Sequence, residues 1–537
     1  MRKISVLFLF VALLFGESVV SDNYYATEAG LKILKEGGNA VDAAVAVGFA
    51  LAVTYPSAGN IGGGGFMVIW DGKKAYFLDY RETAPASATR NMYIENGNFS
   101  REKALIGALA AGVPGTVAGL LEAHRIFGKL PLEKVLEPAI SLAEKGFRLS
   151  SFQEKRFYKK RDVLSRFPET AKIFLPGGKP PVSGQIIVQK DLAKTLKLIA
   201  KKGKDGFYRG RTARLIIRTM KKYGGLITYQ DLINYSPKWR APEIINYAGR
   251  KVFVSSLPSS GGLILRTILS IMEKSKLHTP TPIYYHTLVE AMRLAFFDRA
   301  KFMGDPDFAR VPVKGIRSEI YLREKIERIK LFKPIPLTKF DFNPFKHEST
   351  ETTHFSVFDG KIAVSNTYTI NSLFGCGLVV EGAGFLLNNE MDDFSTPGFA
   401  NQFGAIGSEA NYIEGGKRML SSQTPTIVVN DGKVEAILGA PGGTTIPNSV
   451  VQVILNIYQL GMTPWEAVYT QRLHHQWMPD TLFAERGFSR TILDFLKNEG
   501  FSIKLRTRIG DVNGIYLWKG KYIPIADPRA DGRAGTI

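Results

Sequence analysis

The sequence has a single cysteine, Cys376, in 537 residues. No disulfide can form within the chain, so stability must come from core packing. One isolated small thiol is expected to fill space in the interior, not to act as a nucleophile. Carboxylates are scarce beside bases: 49 Asp and Glu against 70 Lys and Arg give a net charge of +21. The bases are not gathered in one tail but cluster at 155–161, 201–204 and 323–333. The first cluster interleaves Phe157 and Tyr158, yet its pattern fits a solvated helix face, and nucleic acid is not an expected partner. The excess charge suits attraction of acidic substrates. Histidine is rare, with seven in the chain. His474 and His475 are adjacent and would point apart on a helix, and His354 has no carboxylate at ligand spacing. Neither a metal site nor a cofactor is expected.

Long apolar runs are missing beyond residue 15. Ile4–Phe15 follows Arg2 and Lys3, and its twelve residues are too few to span a bilayer. The segment reads as an export signal, with Gly16, Ser18 and Ser21 as candidate last residues. No membrane span is expected once it is removed. The whole chain is 45% hydrophobic and 22% charged, the balance of a packed globular protein.

Past that segment, residues 26–36 read as a helix stopped by Gly37-Gly38. Asn39 then caps a second helix, AVDAAVAVGFALAV, apolar on nearly every face and therefore buried. The four glycines Gly62 to Gly65 lack a following Lys-Ser or Lys-Thr and are not a phosphate loop. Phe66–Trp70 and Ala75–Tyr80 read as a strand pair across Asp71-Gly72. Residues 104–146 are helical, and 147–250 form a basic, mainly helical region. The stretch 333–351 carries three prolines without periodicity and reads as an exposed linker. Beyond it the texture changes to strands. Thr353–Phe358 and Lys361–Ile370 flank Asp359-Gly360, and Thr426–Val429 and Val434–Gly439 flank Asn430–Gly432. Helices follow at 446–460, 464–471 and 489–499, with strands near 502–507 and 513–525. Strand pairs covered by helices on both faces predict a four-layer α/β sandwich.

The sequence Glu351-Thr352-Thr353-His354 stands where the linker enters the first hairpin. A two-residue turn would set Phe358 opposite Lys361 and Thr352 opposite Thr367. Thr369 and Asn371 then lie on the same face at the same hairpin end. At the matching end of the second hairpin stand Ser421-Ser422 and Pro441-Gly442-Gly443. The two glycines precede a helix, where backbone N–H groups can hold a negative oxygen.

Taken together, TTHFSV, NTYTIN (366–371), LLNNEMDDF (386–394), MLSSQTP (419–425) and APGG (440–443) closely resemble γ-glutamyltranspeptidase. So do GGNAVDAAVAVGFALAV (37–53), NIGGGGFM (60–67), LDYRETAP (78–85), GVPGT (112–116), PSSGG (258–262), HHQWMPD (474–480) and DPRADG (527–532). The resemblance begins near Val19, which favours a signal of residues 1–17. It implies the αββα fold of the N-terminal nucleophile hydrolases and a proenzyme that cuts itself between Glu351 and Thr352. The products would be a large piece, 18–351, and a small catalytic piece, 352–537, held as a heterodimer in the periplasm or outside the cell. Thr352 would be the nucleophile, oriented by Thr369, with Gly442 and Gly443 as oxyanion hole. Arg81, Ser421 and Ser422 would take the substrate α-carboxylate, and Asn371, Glu390 and Asp393 its α-ammonium. Glutathione and other γ-glutamyl compounds would be donors, with water, amino acids or dipeptides as acceptors. Phe403 stands where many relatives carry a lid aromatic with a hydroxyl. The same fold would also accommodate a poly-γ-glutamate transpeptidase or a cephalosporin acylase, and a basic binding protein without activity is a further alternative.

Overall fold

The computed structural model describes residues 16–336, 353–402, 404 and 407–537. Its architecture follows from two antiparallel sheets whose strands alternate their side chains between faces. The first sheet runs Arg533–Thr536, Ser18–Ser21, Thr353–Phe358, Ala363–Thr369, Gly64–Trp70, Ala75–Asp79, Lys238–Arg240. The second runs Lys521–Ile525, Asn513–Trp518, Lys433–Gly439, Thr426–Asn430, Arg250–Val254, Glu243–Tyr247. Phe66, Val68 and Trp70 face Phe253, Ile427, Val429 and Ile437 between the sheets. The alternate residues Met67 and Ile69 face outward into a core with the helix Ala40–Thr54. On the other side Val252, Val254, Val428 and Leu438 pack against the helices Gly261–Ser275, Pro282–Phe302 and Thr445–Tyr458. These three apolar seams make the four layers αββα. Each large side chain removed from water contributes about 1.5–3 kcal/mol.

The helix Ala40–Thr54 is buried along its whole length, as its composition requires. Asn39 accepts from the N–H groups of Val41 and Asp42, and Asp42 accepts from Asn39 N–H, closing a capping box. Gly62 and Gly63 serve close approach: a Cβ on them would stand 2.0 Å from the Leu386 carbonyl oxygen and 1.9 Å from that of Thr369. The glycine run thus lets the chain pass against the strand end that carries Thr369.

The first hairpin departs from the expected register. Phe358 pairs with Ala363, and Thr353 with Tyr368, so the loop has four residues and the Thr352–Thr367 pairing is not the one formed. The cause is Asp359, whose Oδ1 accepts from the N–H groups of Lys361 and Ile362 while Oδ2 accepts from Ala40 N–H. The basic region is helical only to Asn234; Lys238–Arg240 and Glu243–Tyr247 are edge strands, one on each sheet. Ser18–Ser21 and Arg533–Thr536, unremarked in the sequence, pair in the first sheet. The linker from 337 and the apolar run to Phe15 lie outside the described residues.

Candidate functional site

The site is built at one end of the sandwich, where Thr369 and Gly439 end their strands. Ser356 and Ser365 join the two sheets there, donating to the Ile437 and Leu438 carbonyls at 3.2 and 3.0 Å. Glu351, Thr352 and Phe403 lie outside the described residues. The residue that follows Thr352 is tightly held. Thr353 Oγ1 donates to Asp22 Oδ2 at 2.6 Å, His354 N–H donates to the same oxygen at 3.2 Å, and Asn513 Nδ2 donates to Oδ1. Burial, with Asp511 nearby, pushes the Asp22 carboxyl up to about 7. His354 bonds Thr367 and Ser356 through its ring, and burial pushes it down to about 3, so it stays neutral.

Arg81, Thr369, Asn371, Glu390, Asp393, Ser421, Ser422 and Gly443 line one small cavity. Arg81 is buried just past the strand Ala75–Asp79. Its guanidinium lies 2.6 Å from Glu390, 2.5 Å from Asp393 and 3.4 Å from Glu82. Glu390 and Asp393 come from one helical turn, fixed by Asn388, which accepts from Glu390 N–H and Gly112 N–H and donates to the Gly62 and Gly112 carbonyls. Burial raises the Glu82 carboxyl to about 7 and holds those of Glu390 and Asp393 above the carboxylate range despite Arg81, and crowding of the acids adds to this at Glu82 and Glu390. Asn371, at φ +70°, donates from its backbone to Thr369 Oγ1 at 2.7 Å. Ser421 is clamped by the Pro258–Gly262 segment, donating to the Pro258 carbonyl and accepting from Ser260 N–H and Oγ–H at its own.

Gly442 and Gly443 adopt φ +134° and +56°, backbone suited to glycine. Their carbonyls accept from Thr445 and Ile446 N–H, which turns the loop into the helix Thr445–Tyr458. Among the described residues their own N–H groups have no acceptor. Two N–H groups left beside a helix start are an arrangement suited to an anion.

One lining residue was not anticipated: Arg299, on the helix Pro282–Phe302, donates through Nε to Ser422 Oγ at 3.2 Å. Burial lowers its pKa to about 10, and it remains a cation at neutral pH. The cavity has only about 20 Å³ of free space, room for about one water. A much larger groove of about 1000 Å³ lies at the opposite end of the sandwich, by the turns at Gly72 and Gly432. It gathers Trp70, Tyr76, Trp239 and Phe253 but none of the expected site residues.

The gamma-glutamyltranspeptidase family model matches residues 26–537. A glutathione hydrolase proenzyme of Pseudomonas aeruginosa is 45% identical over 97% of this chain and 95% of its own length. Another from Escherichia coli is 42% identical, covering 95% and 90%. Among solved structures, a cephalosporin acylase from Bacillus halodurans superposes with a TM-score of 0.85 at 26% identity, covering 100% of this chain and 99% of its own. The gamma-glutamyltranspeptidase of Helicobacter pylori gives 0.56 at 41% identity, covering 64% of this chain and 95% of that one. With a full-length family match and close relatives along nearly all of its sequence, this chain belongs to the γ-glutamyltranspeptidase family.

Proposed function

We infer that the protein is a self-processing γ-glutamyltransferase and glutathione hydrolase with Thr352 as its nucleophile. The observation that carries this reading is the cavity shared by a buried arginine, its paired acids, Thr369 and Gly443, with Gly442 next along the chain. One cation already paired with several anions can exchange those contacts for a glutamyl head that carries a carboxylate and an ammonium.

In processing, the Thr352 hydroxyl attacks the Glu351 carbonyl and the peptide nitrogen leaves as the α-amine of Thr352. Water then opens the ester, freeing the Glu351 carboxylate. An α-amine has a pKa near 7.7–8.0, low enough to serve as base for its own hydroxyl. In turnover that amine takes the hydroxyl proton while Oγ attacks the γ-carbonyl. The oxygen's charge falls to the Gly442 and Gly443 N–H groups, and the proton passes to the departing amine. Water, an amino acid or a dipeptide then takes the glutamyl group. Thr369 orients the nucleophile. The incoming zwitterion enters the Arg81 ion pairs, its carboxylate on Arg81 with Ser421 and Ser422, its ammonium on Glu390, Asp393 and Asn371.

Export is proposed from the apolar run after Arg2 and Lys3; among the described residues no helix is long and apolar enough to cross a membrane. Removal of residues 1–17 fits the fold, because Ser18 already pairs with Phe358 and Thr536. The acylase likeness favours a second reading, but a glutaryl head lacks the ammonium that Glu390 and Asp393 would match.

The test compares the wild type with Thr352→Ala on denaturing gels and with a γ-glutamyl anilide. The wild type should split before residue 352 and release the aniline, and the variant should do neither. A wild type that stays whole and inactive would refute the assignment.

A further inference from the structure

Ser421 and Ser422 meet the small cavity as a pair, and each has an oxygen that is already engaged. Ser421 Oγ accepts from Gln423 N–H at 3.1 Å, and Ser422 Oγ accepts from Arg299 Nε at 3.2 Å. A hydroxyl has one proton to give, and an oxygen that accepts from one neighbour points that proton elsewhere. Among the described residues neither O–H has an acceptor, and both serines line the cavity together with Arg299. The backbone fixes where the two oxygens stand: Ser421 N–H donates to the Pro258 carbonyl, and Thr424 Oγ1 donates to the Ser422 carbonyl at 2.9 Å.

Arg299 differs from Arg81 in what surrounds it. It lies in the last turn of the helix Pro282–Phe302, where the unpaired carbonyls favour a cation. It is 6% exposed, and the charges that bear on it are Asp393, which favours its own, and Arg81, which opposes it. Arg81 has three acids at 2.5 to 3.4 Å. Among the described residues no carboxylate pairs with Arg299, and its one hydrogen bond runs to the neutral Ser422 hydroxyl. A buried cation in that state is destabilising until an anion reaches it. We propose that Arg299 is a positioning residue for substrate recognition: by donating to Ser422 it aims the serine O–H into the cavity, where that proton meets the α-carboxylate of the glutamyl group. This role rests on the proposed function and deepens it. A carboxylate only accepts, so it suits two O–H donors backed by a cation, whereas an ammonium only donates and finds no acceptor there. The cavity thus has two unlike sides, donors at Ser421, Ser422 and Arg299 and acids at Glu390 and Asp393, and the zwitterion can enter in one orientation only.

The experiment uses the self-cleaved enzyme with Arg299→Met, Arg299→Lys, Ser422→Ala and the double variant Arg299→Met with Ser422→Ala. It reads kcat and KM for a γ-glutamyl anilide, and the inhibition constants of L-glutamate and of 4-aminobutanoate, which keeps the amine but has no α-carboxylate. Arg299→Met should raise KM and the L-glutamate constant about tenfold, while kcat and the 4-aminobutanoate constant stay within about twofold. Arg299→Lys, which can still donate, should recover part of the loss. The double variant should bind no worse than the weaker single one, because both changes act through one hydroxyl. Self-cleavage reports that each variant folds, and Arg299→Gln stands in if Arg299→Met does not cleave. Equal rises for L-glutamate and 4-aminobutanoate would show a merely structural part and overturn the positioning role. So would a KM unchanged in Arg299→Met, fully additive losses in the double variant, or failure of every Arg299 variant to cleave. Each of these leaves the enzyme reading standing, whereas a wild type inactive on the anilide overturns that reading and the role of Arg299 with it.

Discussion

Replacing Arg81 with glutamine tests the glutamyl pocket on two scales at once. Arg81 is fully buried and holds Glu390 at 2.6 Å and Asp393 at 2.5 Å, with Glu82 at 3.4 Å. Removing one partner of such a buried group costs about 3–5 kcal/mol, because the remaining charges stay out of water. The three acids already sit above their ordinary pKa values and can answer by taking protons. The denaturant midpoint of Arg81→Gln should therefore drop more at pH 8.5 than at pH 5.5. On activity, losing the guanidinium from the α-carboxylate removes about 1.5–3 kcal/mol. That is roughly a 10- to 150-fold fall in kcat/KM for a γ-glutamyl anilide. The carboxylate stays distant from the reacting bond, so the loss should fall on KM and not on kcat. The decisive comparison is with the 4-aminobutanoyl anilide, which has no α-carboxylate. Wild type should discriminate strongly between the two and Arg81→Gln hardly at all. A folded Arg81→Gln enzyme with unchanged KM and unchanged discrimination would refute the reasoning.

Two further outcomes follow from the same geometry. Because Glu390 and Asp393 hold protons above the usual carboxylate range, they must ionise to receive the ammonium; KM for the anilide should fall as pH rises from 5.5 to about 8, and a flat profile would count against their role. Gly442→Ala would place a Cβ 2.3 Å from Thr445 Oγ1 on backbone at φ +134°, so the loop must shift; kcat should fall by about 10²–10³, read by stopped assays on whatever fraction self-cleaves.

Much of this was legible because local chemistry dictated it. Asp-Gly turns announced both hairpins, and an unbroken small apolar run announced the central helix Ala40–Thr54. Arg81, Thr369, Asn371, Glu390, Asp393, Ser421, Ser422 and Gly443 do line one cavity. What was missed depends on distant partners. The loop register was set by Asp359, whose second oxygen caps a helix 319 residues earlier in the chain. Ser18–Ser21 is a strand because of neighbours more than 300 residues away, too short and mixed to show a period of its own. Arg299 reaches the pocket from a long helix whose charges face several directions, and nothing next to it in sequence marks which one points inward. Asp22, which fixes the start of the strand Thr353–Phe358, is one step past that same unread strand.

The order of the first sheet has a consequence for the life of the molecule after cutting. Ser18–Ser21 lies between Thr353–Phe358 and Arg533–Thr536, so a strand that precedes the proposed break is threaded between two that follow it. Gly64–Trp70 in turn pairs with Ala363–Thr369 across the same divide. The two polypeptides are thus woven, not docked. Neither can depart without tearing the ladder of the other, and no small contact patch exists to be competed away. Exchange of pieces between molecules should then be as slow as global unfolding itself, and dilution should leave the pair intact.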